Sequence, residues 1–493
     1  MVRIIVPVVA SLFIFLATMS GARAAERPNI LLCVADDWGR HASAYGDPVV
    51  RTPAFDRLAQ EGVLFEHAFV SSPSCTPSRN ALLTGQQFYR LGEGANLWSA
   101  LDVSHPTFVR LLQQAGYTTG HWRKAWGPGD FKAGGYEENP CGPGMKFDAF
   151  MKQRAEGAAE AKDAPFCFWF GTSDPHRAYE SGSGKASGID LAAIQVPKFF
   201  PDVETVRSDL ADYYFEIQRW DRDVAAAIKL LEEAGELENT IIVMTSDHGM
   251  PFPRGKGNVY DSGARVPLAI RWGKGITKPD RRVSDFVSLT DLAPTFLEAA
   301  GVETPEVMTG RSLLPVLKSD QAGRVEEARS GVVIGRERHT PAQAKPSMAG
   351  YPSRAIRTDR HLYIMNLEPD RWPAGVRKDA THPLDSYTDC DAGPTKDLIA
   401  AHSVDPKLER FHELCFAPRP AEELYDIQAD PDQITNLAAN PAHQDTAKRL
   451  RDQLAAYLRE TNDPRFTGEP VKFDDYPYRG PIKPENYPNR PKR

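Results

Sequence analysis

The chain predicts an α/β fold: a large, mainly parallel sheet flanked by helices, followed by a smaller C-terminal α+β subdomain. Two observations carry this. Short, continuous apolar runs alternate with helical patterns over roughly the first three hundred residues, as buried parallel strands and their crossovers require. Beyond about Gly310 the composition shifts to charged and Pro-rich sequence, and a second structured part follows.

The elements are legible one by one. Asn29 to Val34 is an apolar run suited to a strand buried on both faces. Thr52-Pro53 opens a helix to about Glu61, with Thr as cap and Pro in the first turn. Val63 to Phe69 returns as a strand. Thr107 to Ala115 reads as a helix closed by Gly116, followed by a strand from Tyr117 to Gly120. Phe166 to Phe170, Thr240 to Thr245 and Pro267 to Trp272 are further strands. Leu210, Tyr214, Ile217, Val224, Ile228 and Leu231 form one helical stripe that ends near Gly235. The second part contains Arg357 to Asn366, the segment Glu423 to Ile427, a closing helix from about His443 to Glu460, and a Pro- and Tyr-rich tail from Asp463 expected to wrap the surface. The organisation expected is a leader over residues 1–24, a catalytic domain over 25–350 and a C-terminal subdomain with its tail over 351–493.

The leader reads as a secretory signal. Arg3 precedes an apolar run from Ile4 to Ala17, and Ala22-Arg23-Ala24 ends in a small-residue cleavage pattern. The run is short for a membrane span, so the mature chain is expected outside the cytoplasm, periplasmic or secreted, with no membrane attachment after cleavage. The chain has 493 residues and a formal charge of -7, from 59 Lys and Arg against 66 Asp and Glu. That balance argues against nucleic acid as partner, yet leaves room for a locally basic pocket that binds an anion. Six cysteines, Cys33, Cys75, Cys141, Cys167, Cys390 and Cys415, include no CxxC pair, so a structural zinc site is not indicated. Cys33 and Cys167 sit in apolar runs, and Cys390 with Cys415 are a possible disulfide.

Four segments begin where a strand ends, the position at which open α/β sheets gather their functional residues. Asp36-Asp37 follows the first strand; two adjacent carboxylates either form a polar turn or share a hard cation such as Ca²⁺ or Mg²⁺. Cys75-Thr76-Pro77-Ser78-Arg79 puts a cysteine at a helix N-terminus with a guanidinium one turn on, a place suited to sulfate or phosphate. Ser246-Asp247-His248-Gly249 adds a carboxylate and an imidazole. Asp174-Pro175-His176-Arg177 adds a second imidazole beside an arginine.

Together these segments resemble the formylglycine-dependent (type I) sulfatases of the alkaline-phosphatase-like superfamily. Cys75, Pro77 and Arg79 match the family's Cys-x-Pro-x-Arg signature, extended by Leu83-Thr84-Gly85, and the likeness runs from Arg27-Pro28-Asn29 to the segment Glu423 to Leu437. The resemblance implies that Cys75 is oxidised to formylglycine by a maturation enzyme. It further implies that Asp36, Asp37, Asp247, His248 and the modified Cys75 hold a divalent metal, Ca²⁺ by family preference and Mg²⁺ as the alternative. Arg79 would stabilise charge, His176 serve as general acid, and Lys124 and Lys256 bind sulfate. One departure stands out: Trp126 occupies the place where a His commonly follows the earlier Lys. Asp174 to Arg177 and Phe252 to Lys256 look like the heparan N-sulfatase branch, which points to a sulfated saccharide, N-sulfated glucosamine first. Arg177, Trp126 and Tyr179 are candidates to line the sugar pocket. An O-sulfatase, a phosphonate or phosphodiester hydrolase, and an inactive glycan-binding protein are the competing readings.

Overall fold

The computed structural model describes residues 27–157, 164–344, 347–377 and 386–480. The expected signal peptide lies outside the described residues. Among the described residues no helix is long and apolar enough to cross a membrane.

An eight-stranded mixed sheet forms the body. Its strands are β1 (Asn29–Ala35), β2 (Val63–Phe69), β3 (Thr118–Trp122), β4 (Phe166–Gly171), β5 (Thr240–Ser246), β6 (Arg265–Val266), β7 (Leu268–Arg271) and β8 (Arg281–Ser288). The order is β3-β4-β1-β5-β7-β2-β6, with β8 beside β2. β3, β4, β1 and β5 are mutually parallel, whereas β7 runs antiparallel to both β5 and β2. The expectation of a mainly parallel sheet holds; β7 is the element that the apolar pattern cannot orient, because a short buried run reads alike in either direction.

β1 shows why the sheet is central. All seven residues are buried, and successive side chains enter opposite cores, as the two-residue strand period demands. Ile30, Leu32 and Val34 join the core covered by α2 (Cys75–Thr84), α3 (Phe108–Gln114) and α6 (Leu292–Ala299). Leu31, Cys33 and Ala35 join the core under α1 (Pro53–Gln60), α4 (Phe147–Glu156) and α5 (Glu204–Glu233). Truncating a fully buried leucine such as Leu32 to alanine costs about 2–5 kcal/mol in such a setting.

The cap expected at Thr52 is different from its sequence reading. Its side chain makes no cap hydrogen bond; it is bound up with Ser43 and Asp56 instead. The free N–H groups of Ala54 and Phe55 donate to the carboxylate of Asp221 on α5, at 3.0 and 2.9 Å. A buried carboxylate at a helix N-terminus satisfies two orphan donors and meets the positive end of the dipole, so it outcompetes the local hydroxyl.

The C-terminal part is an antiparallel four-stranded sheet, β12-β11-β10-β9, from β9 (Gly331–Arg336), β10 (Ser353–Thr358), β11 (His361–Asn366) and β12 (Glu422–Asp426). Its first strand lies upstream of residue 351. The stretch 357–366 splits between two strands of a hairpin that turns at Asp359-Arg360. The closing helix α7 (Gln444–Glu460) packs its Ala447, Leu450, Leu454 and Leu458 stripe on this sheet. The tail runs back over the body, where Asn96 donates to Phe473 O at 2.8 Å and Arg479 pairs with Glu93. All six cysteines are free and buried, Cys390 and Cys415 included.

Candidate active site

The site forms where β1, β5 and β4 end and the N-terminus of α2 meets them. Three bonds from backbone N–H groups tie the loops together: Asp36 N–H to Asp174 O at 3.0 Å, Asp247 N–H to Ala35 O at 3.2 Å, and Asp37 N–H to the Asp247 carboxylate at 3.0 Å. Asp37 has a φ of +75°, a left-handed conformation that Asp tolerates better than most residues but still at a cost of order 1 kcal/mol. The turn it makes is held by Tyr213, whose hydroxyl donates to Asp37 O at 3.0 Å and accepts from Gly39 N–H at 2.8 Å.

Cys75 is the first residue of α2, a helix whose ten residues are all buried. Its Sγ lies 3.3 Å from His248 Nε2, 3.4 Å from Lys124 Nζ and 3.8 Å from Asp36 Oδ1. Burial pushes the thiol well above its ordinary range, against the pull of Lys124 and Lys256. As a plain thiol, Cys75 is therefore protonated and a poor nucleophile at neutral pH.

Arg79, one turn along α2, is enclosed. Its Nε donates to Asp247 Oδ2 at 2.9 Å and its Nη1 to Ala125 O at 2.7 Å and Lys124 O at 3.1 Å. Burial works against the Asp247 carboxylate, but Arg79, with Lys124 behind it, holds it well below the usual range. Asp36 goes the other way. Burial raises it, Asp247 and Asp37 raise it further, and Lys124, hydrogen-bonded to Asp36 Oδ1, compensates only in part. Lys256 Nζ sits 3.0 Å from Asp37 Oδ2 and 3.0 Å from Asp391 Oδ2.

The donor set fits a hard divalent cation. The acceptor atoms of Asp37, Cys75 and His248 lie within 4.8 Å of one another, as do those of Asp36, Cys75 and Asp247. Asp37 Oδ1 is buried and accepts no hydrogen bond, although His248 Nε2 is only 3.0 Å away. His248 Nδ1 faces Gly249 O at 3.1 Å, which keeps the proton on Nδ1 and leaves the Nε2 lone pair directed at the carboxylates. Two lone-pair-bearing groups so close call for a cation between them. A different cluster, His402, Glu409 and His412, stacks its imidazoles with centroids 3.6 Å apart and planes at 19°; in-plane lone pairs of near-parallel rings do not converge, so it lacks this character.

The structure thus brings together Asp36, Asp37, Cys75, Arg79, Lys124, Asp247, His248 and Lys256. His176 stands at the rim, its Nε2 3.9 Å from Asp37 Oδ2 and its side chain 33% exposed, with Nδ1 2.5 Å from Arg177 O. Two of the sugar-pocket candidates are placed differently from expectation. Trp126 is buried, and its indole N–H donates to Asn80 Oδ1 at 2.6 Å; it packs behind the loop that grips Arg79. Arg177 gives both terminal nitrogens to the Asp209 carboxylate at 2.7 and 2.8 Å and its Nε to Pro251 O at 3.0 Å. Its guanidinium is stacked between Tyr179 and Phe252, and the Tyr179 hydroxyl donates to Pro175 O at 2.9 Å. Two residues escaped the sequence reading. Asp391 reaches Lys256 from the C-terminal part, and His339, 2.8 Å from Ser74 Oγ, backs the start of α2. No local motif surrounds either one.

The Sulfatase family model matches residues 28–302. The chain is 31% identical to the human N-sulphoglucosamine sulphohydrolase over 487 residues, covering 88% of this chain and 91% of that protein. It is 28% identical to an ulvan-active sulfatase of Formosa agariphila, covering 89% and 76%. Among solved structures, a protein in complex with its substrate D-glucosamine-2-N,6-O-disulfate matches with a TM-score of 0.61 at 21% identity, over 89% of this chain and 99% of that one. The phosphonate monoester hydrolase of Agrobacterium radiobacter matches with a TM-score of 0.60 at 18% identity, over 90% and 97%. The chain belongs to the sulfatase family. It is a sulfuric ester hydrolase on the alkaline-phosphatase-like fold.

Proposed function

We propose that this chain is an exported sulfatase that removes sulfate from a sulfated glycan, N-sulfated glucosamine of the heparan type being its substrate. In this reading the nucleophile is formylglycine made from Cys75 by a maturation enzyme. The carrying observation is the convergence on Cys75 Sγ of Asp36, His248 and Lys124, with Arg79 and Asp247 beside them. The substrate rests on the human N-sulphoglucosamine sulphohydrolase likeness and on the Asp174 to Arg177 and Phe252 to Lys256 segments.

The chemistry follows from the residues. The oxidised side chain, hydrated, offers two hydroxyls. One gives its proton to the neighbouring Asp36 carboxylate and attacks the sulfur, an O–S bond forms, and the N–S bond breaks as the amine leaves with a proton, for which His176 Nε2 is the donor. The second hydroxyl then gives its proton to His176, left neutral by the first step, the C–O bond to the sulfate breaks, and the aldehyde returns. Arg79 is fixed by Asp247 and two carbonyls, so its charge is positioned before the reaction begins. Lys124 and Lys256 flank the space above Cys75 as partners for sulfate oxygens. Asp36, Asp37, Asp247 and His248 would hold the divalent ion, Ca²⁺ or Mg²⁺, whose charge offsets that of the nucleophile and the sulfuryl group. Charge supports this set: Asp36, Asp37, Asp247 and Asp391 outnumber Arg79, Lys124 and Lys256 by one, an excess of negative charge that a divalent ion offsets.

The test is a comparison, with matured enzyme, of sulfate release from N-sulfated and 6-O-sulfated glucosamine, alongside an aryl phosphodiester. Release from the N-sulfated sugar is expected. Release only from O-sulfated sugars, or faster turnover of the phosphodiester, overturns the substrate. Mass spectrometry of the peptide carrying Cys75 reads the aldehyde directly, and an unmodified thiol in fully active enzyme overturns the mechanism.

A further inference from the structure

The inner site is buried, and its rim is where the leaving group passes. Asp37, Arg79, Asp247 and His248 have side chains 0% exposed, Asp36 2% and Lys256 4%. Three side chains at the site reach solvent: His176 at 33%, Asp391 at 28% and Lys124 at 21%. With Cys75 at the floor, whatever departs from the sulfur must leave past these three.

Asp391 is fixed there. Asp389 accepts from Arg336 Nη2 at 2.7 Å, Thr340 N–H at 2.8 Å and Thr340 Oγ1 at 2.6 Å. Cys390 N–H donates to Tyr387 O at 3.0 Å, and Cys390 O accepts from Lys396 Nζ at 2.7 Å. The stretch from Tyr387 to Asp391 is thus held at three points before any ligand arrives. One Asp391 oxygen pairs with Lys256 at 3.0 Å, and its carboxylate lies within 4.8 Å of acceptor atoms of His176 and Asp37. A carboxylate has about four lone-pair sites, and the ion pair with Lys256 uses one.

Resting on the proposed sulfatase reading, we infer that Asp391 is a specificity-determining residue that accepts the N–H of a sulfamate leaving group. A sulfamate presents an N–H donor at the bond that breaks; a sulfate ester presents only an oxygen with lone pairs, which a carboxylate repels. A site built around an acceptor discriminates against the substrate lacking the donor, because a sulfate ester sets lone pairs against the carboxylate and leaves that hydrogen bond unmade. Asp391 also keeps Lys256 in place when Asp37 is engaged elsewhere, but that contribution is common to all sulfated substrates.

The experiment compares Asp391→Ala and Asp391→Asn with the parent on N-sulfoglucosamine and on an aryl sulfate, reading kcat/KM for both. A hydrogen bond to a charged acceptor predicts that Asp391→Ala lowers the sulfamate-to-ester ratio by about 10- to 100-fold. Asp391→Asn, which keeps an acceptor and the contact with Lys256, falls between. Melting temperatures establish that both variants fold, and Asp391→Asn carries the test if Asp391→Ala does not. An unchanged ratio, with both substrates losing activity in parallel, overturns the inference and reduces Asp391 to a prop for Lys256. If the parent enzyme itself does not cleave the sulfamate, the substrate reading fails first and this inference with it.

Discussion

Chelating divalent cations from the enzyme, with and without Asp36→Asn, separates a metal centre from a cluster of ordinary ion pairs. In the cation-free protein Asp36 is buried beside Asp37 and Asp247, its carboxyl raised by burial first and by those neighbours next, and relieved by Lys124. A raised carboxyl binds its proton more tightly folded than unfolded. Stability of the chelated enzyme therefore falls as pH climbs from the ordinary Asp range through the raised value. A bound cation reverses the balance by favouring the ionised form. At a free ion concentration a hundredfold above the dissociation constant, binding adds about 2.7 kcal/mol, or roughly 2–3 °C in melting temperature for a protein of this size. Asp36→Asn removes one charge from the crowd while leaving an acceptor for Lys124. The chelated variant is expected to be no less stable than the chelated parent, and to gain little from Ca²⁺ or Mg²⁺. Thermal melts across pH with each ion and with chelator make the measurement. A variant that keeps the full ion-dependent shift, or a parent that shows none with either ion, refutes the assignment of Asp36 to a metal.

Two predictions concern the supports. Glu216 on α5 is pushed up to about 7 by burial and by Asp174, so its ionisation costs stability between about pH 4.5 and about pH 7, by at most about 3 kcal/mol; Glu216→Gln is expected to flatten the fall in unfolding free energy across that window in urea titrations, and an unchanged slope counts against the assignment. Arg354, fully enclosed, pairs with Asp463 at 2.5 Å and Glu337 at 2.7 Å; Arg354→Met strands Asp463 and is expected to cost about 3–5 kcal/mol with kcat of the folded enzyme unchanged, whereas a loss below about 1 kcal/mol would show that the network is dispensable.

The cluster around Cys75 was legible because it is local. Asp36-Asp37, Asp247-His248 and His176 each follow a strand that an apolar run announces, and Cys75 opens a helix that Pro77 and Arg79 mark. In a parallel sheet those ends meet, so short segments far apart in the chain converge without further information. The direction of β7 was not legible, since a four-residue buried strand carries no sign of its neighbours' polarity. Trp126 and Arg177 read as sugar contacts because they stand next to site residues in the chain. Their partners, Asn80 and Asp209, are 46 and 32 positions away, and packing turned both side chains inward.

What the sequence by itself determined is the floor of the site: the cysteine at its base, the carboxylates and imidazole around it, and the arginine that holds them. Local backbone geometry and strand termini suffice for that. The tertiary structure alone decided the long-range supports. Asp391 comes to Lys256 across 135 positions and His339 to Ser74 across 265. Neither lies in a motif, because each is placed by the docking of the small sheet and its loops against the large one, an outcome of packing complementarity summed over many residues that no short window of sequence contains.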